Sequence, residues 1–345
     1  QVEARVLSSK KSLKILNPKK ILIIGPSWLG DMVIAQKLFK VIKDIYPDSE
    51  LHVASPAWTI PLVTRMPEVD QSISLPFSHG ELNILKRYQI AKVLKLEGYS
   101  QAIVLTNSFK SALIPFFAGI SKRTGFLGEM RFALINDRIK KDSSLYRTVD
   151  QFLALAPKSK GTKVSLSTYL ISKPSQGKKL LPGKLSGSDK VLGIAPGAEY
   201  GESKRWPIEY FADVANEAIQ KGWVVISLGS THDQDLGKTL DRLTKNKVIN
   251  LIGKTKLEEV IDVMSLCQTF LSNDSGLMHV AASLNIKQVA IFGSSDPKKT
   301  PPLSRHAKLA YLDLSCSPCF ERICPLQHTN CLKNIKPSEI IKKLI

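Results

Sequence analysis

The chain runs to 345 residues, which suits two domains of about 150 each better than one. Hydrophobic residues make up 43% of it, enough for two cores, and no apolar run approaches the roughly 18 residues that cross a membrane. With 49 Lys and Arg against 30 Asp and Glu the net charge is +19, which admits an anionic substrate, an anionic membrane surface or a nucleic acid, or else a lysine-rich habit spread along the chain.

The opening stretch QVEARVLSSKKSLKILNPKK is basic and has no long apolar segment, so no secretory signal is read there, and it takes no part in the fold argument. KKILIIG (19–25) is a buried strand ending in glycine. Helical spacing of Ile34, Leu38, Val41 and Ile45 predicts a helix from Asp31 to Ile45. ELHVAS (50–55) and SISL (72–75) read as strands, 81–98 as a helix closed by Gly98, and QAIVLT (101–106) as another strand. A Lys-, Ser-, Gly- and Pro-rich stretch follows and reads as the inter-domain linker, 161–190. The pattern then restarts. VLGIAPG (191–197), WVVISLG (223–229), VINLIG (248–253), TFLSND (269–274) and KQVAIFG (287–293) are strands. The helices between them are 207–222, 256–267 and one starting near Ser275, and residues 337–345 close the chain as a terminal helix. The expected fold class is α/β, with two Rossmann-like domains, 20–160 and 191–335, facing a central cleft.

In such folds ligands sit outside the carboxyl ends of the strands, so the loops after the strands carry the chemistry. The first loop, Gly25-Pro26-Ser27-Trp28-Leu29-Gly30-Asp31, has the GxxxxG spacing of a P-loop, but Asp31 stands where a phosphate-binding lysine is needed. It is not GxGxxG either, which argues against a dehydrogenase. Asp31 reads either as a helix N-cap or as a general base for a sugar hydroxyl. The second loop offers Gly197 and Ala198 as backbone donors, then Lys204 and Arg205 just before a helix; this suits a diphosphate, or is a solvated loop with incidental cations. The third, Asn273-Asp274-Ser275-Gly276-Leu277-Met278-His279, runs from a strand end into a helix N-terminus, and His279 lies one turn along from Ser275. No C2H2 spacing, aromatic RNP-like stretch or uninterrupted basic helix occurs, so no nucleic-acid partner is expected.

Three stretches in this order, SWLGDM, GAEYGESKRWP and NDSGLMHVAA, resemble the hallmark motifs of the bacterial ADP-heptose transferase family. NSFKSALIPFFAGISKRTGFLGEMR (107–131) resembles the members of that family that add the second heptose. The resemblance covers nearly the whole chain from about residue 20. It implies a GT-B fold, inverting transfer of L-glycero-D-manno-heptose from ADP-heptose to the first heptose of the lipid A–Kdo inner core, and no metal or other cofactor for the chemistry. It assigns Asp31 as base, Lys204 to the donor phosphates, and Asp274, Ser275, Gly276, Leu277 and His279, with Gly197 and Ala198, to donor binding; Asp233 aligns loosely with a nucleoside contact. Gly30, Lys110, Arg123 and Arg131, with Lys122 beside them, are the acceptor-side candidates, or else a solvated basic face. The implied setting is a cytoplasmic monomer, peripheral at the inner leaflet of the cytoplasmic membrane because its acceptor is an anionic lipid.

Five cysteines without a secretory signal favour thiols over a disulfide scaffold. Four of them, Cys316, Cys319, Cys324 and Cys331, cluster at gaps of two, four and six residues with His328 nearby. That spacing reads either as a structural zinc or iron–sulfur site or as free or disulfide-linked cysteines.

Overall fold

The computed structural model describes residues 18–78, 80–141, 144–157, 167–181, 183 and 185–345. The basic opening stretch to residue 17, and residues 161–166, 182 and 184 of the expected linker, lie outside the described residues.

The described residues form two six-stranded sheets. The first holds β1 (Lys20–Ile24), β2 (Glu50–Pro56), β3 (Gln71–Leu75), β4 (Gln101–Val104), β5 (Lys122–Phe126) and β6 (Asp137–Ile139), in the order β3-β2-β1-β4-β5-β6. The second holds β7 (Val191–Ala195), β8 (Val224–Ser227), β9 (Ile249–Asn250), β10 (Thr269–Asn273), β11 (Lys287–Ile291) and β12 (Ala307–Ala310), in the order β12-β11-β10-β7-β8-β9. Pairing is parallel in both, for example Ile23↔Val53 and Leu271↔Ile194. The two halves thus share one topology, reversing strand order between β1 and β4 and again between β7 and β10. Such a reversal opens a crevice at the carboxyl edge of the sheet.

The central strands are continuous apolar runs because helices cover both faces; β1 and β7 are buried along almost their whole length. The edge strands are short and polar. DRI and AKLA at the edges, and KRTGF next to one, carry no apolar run, so β6, β12 and β5 give no sequence signal. The first helix, Leu29–Ile45, starts two residues earlier than its apolar spacing predicts. Its N-cap is Trp28, so Asp31 lies in the first turn and the capping reading of that residue is corrected.

The halves are joined through a shared buried cluster in which Met32, Ile34 and Leu38 meet Val260, Val280 and Ala281. Around it lies a polar clasp. Arg65 forms two 2.9 Å hydrogen bonds to the carboxylate of Asp262, which also accepts the backbone N–H of Lys173 at 2.7 Å. Gln36 exchanges hydrogen bonds with the backbone of Tyr169. The terminal helix, Pro337–Leu344, buries Ile340 and Leu344 in the core of the second half.

Candidate active site

The three loops picked out by sequence emerge at the two crevices. Gly25 to Asp31 follows β1, Pro196 to Arg205 follows β7, and Asp274 follows β10 directly. Asn273, fully buried at the end of β10, ties the last two together: its Nδ2 donates to the carbonyl of Pro196 at 2.8 Å, and its Oδ1 accepts the backbone N–H of Trp206 at 2.9 Å. Its reach across two loops is a tertiary fact that no local pattern signals.

Two helix N-termini meet at the cleft, that of Leu29–Ile45 and that of Gly276–Ser283. Glycine permits the approach at two places. A Cβ on Gly30 would stand 2.7 Å from Cδ2 of His279, and one on Gly276 would stand 2.9 Å from the Cβ of Leu29. Both termini carry partial positive charge and free amide donors, the ordinary provision for an anion.

Asp31 lies half-buried at this junction. Burial, and then the Asp274 carboxylate, push its pKa up to about 6, against the opposing pull of Lys204 and Lys299. The helix terminus favours the ionised form by only about 0.3–1 kcal/mol, too little to offset burial. His279 is buried, and burial holds its pKa down at about 4, so the ring is neutral near pH 7. Its Nδ1 and the Oγ of Ser275 are buried with no hydrogen-bond partner among the described residues. Lys204 forms a 2.5 Å ion pair with Asp274, whose same oxygen accepts the hydroxyl of Ser295 at 2.5 Å.

Gly197, Ala198 and Asp233 form the other wall. A Cβ on Gly197 would lie 2.3 Å from the Asp233 carboxylate, so only glycine fits. Oδ2 of Asp233 accepts the backbone N–H and hydroxyl of Ser230 at 2.9 and 2.8 Å, while Oδ1 is buried without a hydrogen bond, 3.9 Å from Arg205. Arg205 in turn donates to the carbonyl of Ala198. Beside these lies a cleft of about 360 Å³ lined by Tyr200, Lys204, Ser295, Asp296, Lys299, Thr300 and Phe320. Lys299 and Ser295 were missed in the sequence because the loop after β11 was left unread, although the strand-end rule that found the other loops applies to it equally.

The structure does not bring all the acceptor-side candidates to the cleft. Arg131 is fully buried, and its guanidinium donates to the carbonyls of Thr106 and Phe126 at 2.6 and 3.0 Å. It cannot meet an acceptor without leaving that socket. Arg123 likewise donates to the carbonyls of Leu134 and Ile120, and Lys122 pairs with Asp137. Lys110 stands in the first turn of the helix Phe109–Phe117 after β4, at the crevice, and Gly30 abuts His279 as described.

Comparison with known proteins agrees with this geometry. The family "Glycosyltransferase family 9 (heptosyltransferase)" matches residues 87–330. Lipopolysaccharide heptosyltransferase 2 of Escherichia coli K12 is 41% identical over 307 residues, covering 85% of this chain and 88% of that protein. Lipooligosaccharide heptosyltransferase 2 of Haemophilus ducreyi is 41% identical over 310 residues, with the same coverage. The solved structure of E. coli ADP-heptose LPS heptosyltransferase II superposes with a TM-score of 0.81 at 34% identity, covering 94% of this chain and 97% of that one.

Proposed function

The chain belongs to glycosyltransferase family 9, the heptosyltransferases, and on that premise we propose that it moves L-glycero-D-manno-heptose from ADP-heptose to the first heptose of the lipid A–Kdo inner core, with inversion. The observation that carries the mechanism is the placement of Asp31, from the first half, among Asp274, Lys204 and His279 of the second, with its pKa raised to about 6. A carboxylate so tuned is ionised at neutral pH yet basic enough to take the proton of an acceptor hydroxyl as the glycosidic bond forms.

The leaving group is a nucleoside diphosphate. As the bond to the anomeric carbon breaks, charge grows on its phosphate oxygens. Lys204, the N-terminal amides of the helix Gly276–Ser283 and the unpartnered hydroxyl of Ser275 are the groups that stabilise it. Without donor, Asp274 neutralises Lys204; the diphosphate takes over part of that pairing. Gly197 and Ala198 offer the backbone to the nucleotide, and Oδ1 of Asp233, which accepts no hydrogen bond among the described residues, is the acceptor on that wall. The chemistry asks for no metal ion, since Lys204, the helix amides and Ser275 meet the charge of the leaving group. Since base and phosphate-binding groups lie on opposite halves, the reaction requires both to close on the substrates and exclude water.

The acceptor is an anionic lipid, and we place the membrane-facing surface on the first half. The helix Ile84–Lys95 turns Leu85, Tyr88 and Val93 outward, with Leu96 just beyond, and Lys86, Lys92 and Lys95 alternate with them. No helix of the described residues is long and apolar enough to cross a membrane. An apolar and basic face of this kind suits surface binding to anionic lipid. The function is tested by ADP release from ADP-heptose with deacylated acceptors. Release with the acceptor carrying one heptose, and not with the one lacking heptose, is expected. The reverse preference would assign the chain to the first heptose transfer instead.

A further inference from the structure

Residues 311–329, between β12 and the short helix Asn330–Lys333, form a 19-residue stretch without helix or strand. Loops of this length are uncommon in compact domains unless they serve a function. This one forms a wall of the donor cleft. The carbonyl of Arg322 accepts the backbone N–H of Ser203 at 3.1 Å, that of Phe320 accepts the Tyr200 hydroxyl at 2.5 Å, and that of Glu321 accepts the Ser203 hydroxyl. Gly201, at φ 156°, lies so close that a Cβ there would meet the Arg322 carbonyl oxygen at 2.5 Å. The loop therefore holds the turn that carries Lys204.

What holds the loop is not an apolar core: Phe320, Ile323 and Leu326 are exposed. Instead Cys316, Cys319, Cys324 and Cys331 line one small cavity, of about 20 Å³, with His328, Ser203 and Ser294. All four cysteines are free of disulfides. Four cysteines and a histidine around one cavity supply the ligand types of a tetrahedral thiolate site, and the cavity has room for a single ion, not a multi-iron cluster.

We infer that Cys316, Cys319, Cys324 and Cys331 bind one thiophilic divalent cation, zinc or ferrous iron, and that this ion fixes the loop against the turn bearing Lys204. Among the described residues no three such side chains already stand grouped as ligands, so binding draws the sulfurs inward. No redox change is involved: each thiol gives its proton to solvent as its sulfur becomes a ligand.

The test uses the full chain purified from medium supplemented with zinc and iron, and needs neither donor nor acceptor. Metal content is read by elemental analysis, and thiol reactivity by alkylation and mass spectrometry of the native protein. One zinc or one iron per chain is expected, with the four cysteines protected until a strong chelator is added, and the metal identity follows from the same analysis. Loss of the metal in the Cys316→Ser/Cys319→Ser variant is expected as well. Substoichiometric metal with all four thiols open to alkylation in the native protein, or disulfides among them, would overturn the site. ADP affinity, measured by calorimetry, is expected to fall when the metal is removed; unchanged affinity would overturn the coupling to Lys204. Because the native protein is read directly, a variant that fails to fold leaves the first result standing.

Discussion

Asp31, Gly30 and His279 form one mechanical unit, and each yields its own test. With Asp31 titrating at about 6, kcat/KM should fall on the acid side with an apparent pKa near that value; a profile flat from pH 5 to 8 would separate Asp31 from the chemistry. The same shift affects stability. The folded pKa lies above the ordinary carboxylate value of 3.8, so the contribution of Asp31 favours folding below about pH 4 and is lost as pH rises through about 6. Asp31→Asn should therefore raise the unfolding free energy at pH 7 by about 1–3 kcal/mol while abolishing turnover, as a strained active-site group does. Chemical denaturation at pH 7 and pH 4 reads this, the difference between variants shrinking at the lower pH. His279 has the opposite sign: its folded pKa, about 4, lies below 6.5, so its contribution is present above pH 6.5 and lost as pH falls through 4. Gly30→Ala would place a methyl 2.7 Å from the His279 ring. It should cost about 1–3 kcal/mol and impair closure, and His279→Ala in the same chain should restore part of the lost stability. Equal stability of Gly30→Ala and wild type would refute the contact.

Elements explain why so much of the site could be read in advance. The donor residues lie on loops whose flanking strands are buried on both faces; such strands announce themselves as apolar runs, closed by Gly25 after β1 and Pro196-Gly197 after β7, and by Asn273-Asp274 at β10. The loops after β1, β7 and β10 were thereby located before any contact was known. Three things stayed hidden. Strand β5 and the edge strands β6 and β12 are too short and polar to show a period. The first helix begins at Leu29, before its apolar stripe does, which moves Asp31 from the cap into the first turn. Arg131 looked like a surface cation because charge is normally exposed, but the loop that it organises, from Thr106 to Ser111, encloses its guanidinium completely. Arg131→Met should accordingly cost several kcal/mol, on the order of 3, through the unpaired carbonyls left behind. It should also lower the midpoint of thermal unfolding without a selective rise in acceptor KM. A selective acceptor effect at unchanged stability would return Arg131 to the acceptor site.

On the scale of the whole molecule, one topology repeated twice sets two crevices face to face, and the halves share a buried cluster closed by the Arg65–Asp262 clasp. Breaking a buried pair leaves its partner charged and desolvated, at a cost of about 3–5 kcal/mol. Arg65→Leu should thus weaken the joint between halves, reducing both stability and kcat, although Arg65 touches none of the proposed site residues. The central claim is that the first half supplies the base and the second the leaving-group stabilisation. The measurement that addresses it most directly is ADP release from ADP-heptose with the mono-heptosylated acceptor, comparing wild type with Asp31→Ala. The account predicts acceptor-dependent release in the wild type and a loss of about 10²–10⁴-fold in kcat in the variant, with donor affinity retained. Undiminished turnover by Asp31→Ala would contradict it and leave Asp31 as no more than a residue in the first turn of a helix.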